Sequence, residues 1–153
     1  MQMTRVDFYI LAGDELNDRH QFCCKLIAKT FKMGHRIILL CQDDAEAQLM
    51  DDLLWSYKDS SFLPHQNLSS SQVTQSHEEN EDIIILSSSS HDNAPLEHHD
   101  LLINMAAEIP AWFSRFERVS EIVVQTKAVL DSTRANYRFY TEKNYPLHRH
   151  DMR

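Results

Sequence analysis

The side chains here that could do chemistry are nine histidines, three cysteines and a small basic cluster near the C-terminus. Histidines with acids nearby are the material of a metal site, and His91, His98, His99, His148 and His150 have such neighbours. None forms a spaced pair such as HExxH or joins a set with cysteines, and His91 to His99 lie in a polar tract where solvated imidazole is the simpler reading. Cys23 and Cys24 are adjacent and cannot share a helix face, so they are no ligand pair. With Cys41 they sit in apolar runs where inert core thiols, not nucleophiles, are expected. Cradling a phosphate takes a glycine-rich loop, yet the chain has 2 glycines in all and only Gly13 follows the first strand. No catalytic, metal-binding or cofactor-binding set is expected, and so no enzyme.

The basic cluster is different. Arg134 and Arg138 stand one helical turn apart with Tyr137 between their rows, and Lys127 lies two turns before Arg134. Fifteen basic against 23 acidic residues give a net charge of −8, so this face reverses the field of the whole chain. Guanidinium groups make forked, charge-assisted bonds to carboxylates, and such a face beside apolar Val123 suits an acidic peptide tail or its terminal carboxylate. Periodicity alone equally supports a solvated charged face beside a core stripe of Leu130, Thr133, Tyr137 and Tyr140. A second unusual stretch runs from Leu54 to His65, where Trp55, Phe62 and Pro64 surround Ser60 and Ser61. Either Trp55 completes a helix core face and Phe62 plugs the sheet edge, or the segment is a docking surface stiffened by proline.

These residues need a scaffold, and 153 residues suit one compact unit with one core, read here as a single domain over 1–153. The odd cysteine count is no disulfide framework, no apolar run is long enough to span a bilayer and no signal peptide is evident, so a cytoplasmic protein is expected. Val6, Phe8 and Ile10 alternate with Asp7, Tyr9 and Leu11 as a first strand. The spacing of Phe22, Cys23, Leu26, Ile27, Thr30 and Phe31 predicts a helix from Glu15 to Met33, stopped by Gly34. Arg36 to Cys41 reads as a strand, and Asp43 with Glu46 as the capping box of a helix ending near Tyr57. Polar tracts at 66–80 and 87–99 flank an isoleucine-rich strand at 82–86. Strands at 101–103 and 119–124, a brief helix near Pro110 and a closing helix from Lys127 to Lys143 complete an α/β fold of about five mostly parallel strands flanked by helices.

The start Val6-Asp7-Phe8-Tyr9, the Trp55 to His65 segment, the Asp100 to Met105 strand and the Arg134-Ala135-Asn136-Tyr137-Arg138 run together resemble the chi subunits of bacterial DNA polymerase III holoenzyme. The resemblance spans nearly the whole chain. It implies a Rossmann-like fold without nucleotide chemistry and an accessory role in DNA replication, bridging two partners. One is the psi subunit of the clamp-loader complex; the other is the acidic C-terminal tail of single-stranded DNA-binding protein. Contact with DNA would be indirect, and no membrane is involved. By the same resemblance Trp55, Phe62 and Pro64 match the psi-facing segment, and Val123, Lys127, Arg134, Tyr137 and Arg138 match the tail pocket, with Arg134 taking the terminal carboxylate. Leu130 stands where the resemblance leads to a lysine. A small α/β nucleotide-binding enzyme is the alternative, motivated by the fold alone.

Overall fold

The computed structural model describes residues 3–57, 63–69 and 81–153. They form an open sheet of seven strands in the order β3-β4-β2-β5-β6-β1-β7, and every pairing is parallel. The strands are β1 (Arg5–Ile10), β2 (Ile37–Cys41), β3 (His65–Asn67), β4 (Ile83–Ser87), β5 (Leu101–Asn104), β6 (Arg118–Val123) and β7 (Leu147–Asp151). Three helices cover its faces: α1 (Leu16–Lys32), α2 (Asp44–Trp55) and α3 (Lys127–Glu142). β2 and β4 are buried at every position, as expected where helices or loops close both faces of a parallel sheet.

Local chemistry sets the helix ends. Asp43 Oδ1 accepts the Glu46 N–H at 2.8 Å and starts α2. Gly34, at φ +84°, ends α1 in the left-handed conformation that glycine adopts without strain, its N–H bonded to the Phe31 carbonyl.

Three elements depart from expectation. The sheet has seven strands instead of five because both edges are occupied by strands with no apolar run, the three-residue β3 (HQN) and β7 (LHRHD). An edge strand needs only one neighbour, and β7 is held to β1 partly by polar bonds that no hydrophobicity pattern announces. The helix expected near Pro110 is a single 3₁₀ turn at Phe113–Arg115. The loop around it is tied down by Arg115, which donates to the carbonyls of Pro95 at 2.7 Å and His98 at 3.3 Å.

The core lies on both sides of the sheet. Under α1 and α2 it is built on Cys23, Ile27, Leu39, Met50 and Ile85, and under α3 on Phe8, Ile38, Leu86, Phe113, Phe116 and Tyr140. α3 links β6 to β7 across the intervening β1, so the helix is carried over the edge of the sheet where β1 and β7 pair.

Candidate functional site

The rotation of α3 about its axis is fixed by a buried polar cluster. Glu121 on β6 has no exposed surface and accepts hydrogen bonds from Asn104 Nδ2 (2.9 Å), Asn136 Nδ2 (3.2 Å) and the Tyr140 hydroxyl (3.0 Å). Burial pushes the Glu121 carboxyl above its ordinary pKa, and the donors from Asn104 and Asn136, the Arg19 charge and the Tyr140 hydroxyl pull against it. The face of α3 turned inward is therefore Val129, Thr133, Asn136 and Tyr140. This corrects the expected stripe of Leu130, Thr133, Tyr137 and Tyr140: Leu130 is only partly buried, and Tyr137 is 37% exposed. A stripe chosen by apolarity missed that a buried carboxylate recruits Asn136.

Turned this way, Leu130, Arg134 and Tyr137 line one side of an open pocket of about 350 Å³. Phe8 and Ile10 of β1 and Val123 of β6 are its apolar lining, and the Tyr137 ring meets Phe8 edge-on at 5.1 Å between centroids. The far wall comes from Arg149 of β7 and from Arg153 just beyond it. The pocket is thus an apolar cleft rimmed by three guanidinium groups, from α3, β7 and the residues just after β7, on a chain of net charge −8.

Of the residues expected in such a site, Val123, Arg134 and Tyr137 come together. Lys127 and Arg138 do not line the pocket, and the Lys127 ammonium is bonded to Asp131 one turn on at 2.7 Å. Leu130 lines the cleft as an apolar wall. Sequence reasoning missed Arg149 and Arg153. The signal was present in the alternation of Arg149, Asp151 and Arg153, which puts all three on one face of an extended segment.

β7 is positioned from its other face. The Asp7 carboxylate, with 1% of its side chain exposed, is reached by His150 Nε2 at 2.9 Å, Arg118 Nη2 at 3.0 Å and Arg5 Nη2 at 3.1 Å. His150 also stacks on Tyr9 at 4.7 Å. Burial alone would raise the Asp7 pKa, but the bonds from His150 and Arg118 and the charges of Arg118 and Arg5 outweigh it and hold the carboxyl below the usual carboxylate range. Because side chains alternate along a strand, anchoring His150 on the α1 side turns Arg149 toward the pocket.

At the second surface Leu54 is the buried residue and Trp55 is 58% exposed. The reading in which Trp55 completes the core face of α2 is therefore corrected. Its ring leans on His65 at 4.6 Å, while His65 itself lies 2.8 Å from Asp51 and bonds the Leu63 carbonyl at 2.7 Å. Pro64 is half-buried beside them; Phe62 lies outside the described residues.

The loop after β1, where a nucleotide phosphate would approach, is filled by the chain's own acid. Asp18 Oδ2 accepts the Glu15 N–H at 3.2 Å, and a side chain at Gly13 would collide with that carboxylate. A phosphate would meet negative charge there rather than free N–H groups. Cys23, Cys24 and Cys41 are buried, and burial pushes their thiols up, Cys24 to about 11, away from the reactive thiolate. Among the described residues no group of three His, Cys, Asp or Glu is placed to hold a metal ion, and no helix is long and apolar enough to cross a membrane.

The molecule is thus an open parallel α/β protein of Rossmann-like type with a basic-rimmed apolar cleft beside its last helix. The family model for "DNA polymerase III chi subunit, HolC" matches residues 3–148. DNA polymerase III subunit chi of Pseudomonas aeruginosa is 35% identical over 150 residues, 98% of each chain. The subunit chi of Haemophilus influenzae is 30% identical over 131 residues, 86% of this chain and 85% of its own, and that of Escherichia coli is 31% identical over 67 residues, 41% and 46% respectively. The chain belongs to the DNA polymerase III chi subunit family, whose members are accessory, non-catalytic subunits.

Proposed function

We propose that this chain is a bridge within the replicative polymerase: it grips the acidic C-terminal tail of single-stranded DNA-binding protein in the α3–β7 pocket and pairs with the psi subunit of the clamp-loader complex through the surface around Trp55. The observation that carries this reading is the pocket itself. An apolar lining of Phe8, Ile10, Val123 and Leu130 suits a buried terminal side chain, and Arg134 at the rim is an exposed guanidinium that makes no ion pair among the described residues. Such a group is free to take a terminal carboxylate in a forked pair. The net charge of −8 repels an acidic tail at long range, so attraction comes from the local arginines and falls with added salt. On the other surface, an exposed tryptophan beside a half-buried proline has the composition of an interface anchor. The bridge works in the cytoplasm as one domain and touches DNA only through its partners.

The test is fluorescence anisotropy with a labelled acidic peptide ending in phenylalanine. The free-acid peptide binds, its affinity falls with salt, and both amidation of its C-terminus and Arg134→Glu abolish binding. Equal affinity of the parent and Arg134→Glu for the free-acid peptide would refute the assignment.

A further inference from the structure

The pocket has a second cationic wall that the helix does not supply. Arg149 is exposed, lies opposite Phe8 in the β1–β7 register, and makes no ion pair among the described residues. Arg153 also lines the pocket but is engaged: its Nε and Nη2 donate to Asp151 Oδ1 at 3.0 Å and Oδ2 at 2.9 Å, and its backbone N–H reaches the same carboxylate at 3.1 Å. The ladder continues past β7, since the Met152 N–H bonds the Ile10 carbonyl at 2.8 Å, so Arg153 follows a fixed stretch of backbone and not a loose end. We propose that β7 and the residues after it form an acid-reading arm of this pocket, in which Arg149 takes a carboxylate upstream of the bound peptide's terminus and Asp151 holds Arg153 back as an internal competitor.

Three relationships support this. The Asp151–Arg153 fork is itself a carboxylate seated on this wall, so the geometry for one exists there. Arg149 and Arg153 are four residues apart on an extended segment, roughly 13 Å at the rise of a strand, a span that an extended peptide covers with alternate side chains on one side. Finally, β7 is pinned to β1 through His150 and Asp7 on the opposite face, so the arm is presented with little ordering left to do on binding. The occupant is an extended peptide with at least one acid a few residues before an apolar, free-acid C-terminus. The proposal rests on the reading of the pocket as a tail site and adds that acids before the terminus are read by β7.

The experiment uses two synthetic peptides with a free C-terminal Ala-Phe, one preceded by four aspartates and the other by four asparagines, titrated into the full chain. Arg149→Gln weakens the aspartate peptide about threefold and leaves the asparagine peptide unchanged. Asp151→Asn tightens the aspartate peptide about threefold by freeing Arg153 and removing a like charge, and Asp151→Asn with Arg153→Gln loses that gain. All three positions are exposed, so unchanged melting curves verify folding. Parent binding with the same aspartate-to-asparagine preference in Arg149→Gln and Asp151→Asn overturns the β7 arm alone. A parent that binds neither peptide overturns the tail pocket as well.

Discussion

The Tyr140 hydroxyl donates to Glu121 Oε2 across 3.0 Å at a site closed to solvent, and this bond helps set which side of α3 faces the sheet. With Tyr140 and Asn136 turned in, Leu130, Arg134 and Tyr137 are left beside the β1–β7 edge, where the pocket forms. A structural carboxylate thus determines the geometry of a surface that it never touches.

Removing that donor should be costly. Tyr140→Phe keeps the ring contacts with Phe8 and Phe113 but leaves Glu121 Oε2 with one donor fewer, and should destabilise the fold by about 1–3 kcal/mol in urea or thermal unfolding. Because burial raises the Glu121 pKa in the folded state, its contribution to stability is fully present below its unfolded pKa of about 4.3 and is lost as pH rises toward the folded value. Glu121→Gln should therefore improve relative to the parent as pH climbs from 4 to 8. A constant difference between the two across that range would contradict the assignment.

Asp7 titrates the other way. Its folded pKa is lowered, so its stabilisation is present above the unfolded value of about 3.9 and disappears as pH falls through the folded one. Asp7→Asn should cost about 2 kcal/mol at neutral pH, less than a fully buried ion pair would, because Arg5 and Arg118 are 40% and 46% exposed. The penalty should shrink below about pH 4, where the parent loses the same interactions. Hydrogen exchange should show the loosening concentrated in β7.

Trp55→Ala and Leu54→Ala are neighbours with opposite expectations. Leu54 is buried, and its truncation should cost about 2–5 kcal/mol; Trp55 is mostly exposed, and its loss should cost about 1 kcal/mol or less while weakening co-elution with a psi subunit. A Trp55→Ala chain that melts many degrees lower would mean that the ring's contact with His65 is structural.

Tyr137→Ala separates binding from folding on α3. The ring is partly exposed and meets Phe8 in the pocket, so its removal should weaken an acidic, phenylalanine-ended peptide about tenfold with little change in melting temperature. Isothermal titration beside a thermal melt would resolve the two effects.

The sheet's centre was readable from the chain alone because Ile37 to Leu40 and Ile83 to Leu86 are unbroken apolar runs, which in a parallel sheet mean burial on both faces. Helix limits were readable for a similarly local reason: Asp43 with Glu46 and Gly34 act within a few residues of themselves. Val123, Arg134 and Tyr137 could be named as a set from the resemblance; the helical spacing also admitted a plain solvated face.

Composition and near-neighbour spacing alone specify a mostly parallel α/β fold, a chain too poor in glycine for a phosphate loop, and a short basic exception in an acidic sequence. The tertiary structure decided which side of α3 is buried and which strand faces it. Those outcomes rest on pairs brought together from different elements, Glu121 with Tyr140, Phe8 with Tyr137 and Asp7 with His150, and the last two join residues more than a hundred positions apart. β7 carries no hydrophobic run because an edge strand held by backbone bonds and the His150–Asp7 hydrogen bond needs none, and so the pocket role of Arg149 and of Arg153 beyond the strand followed only once β1 was beside them.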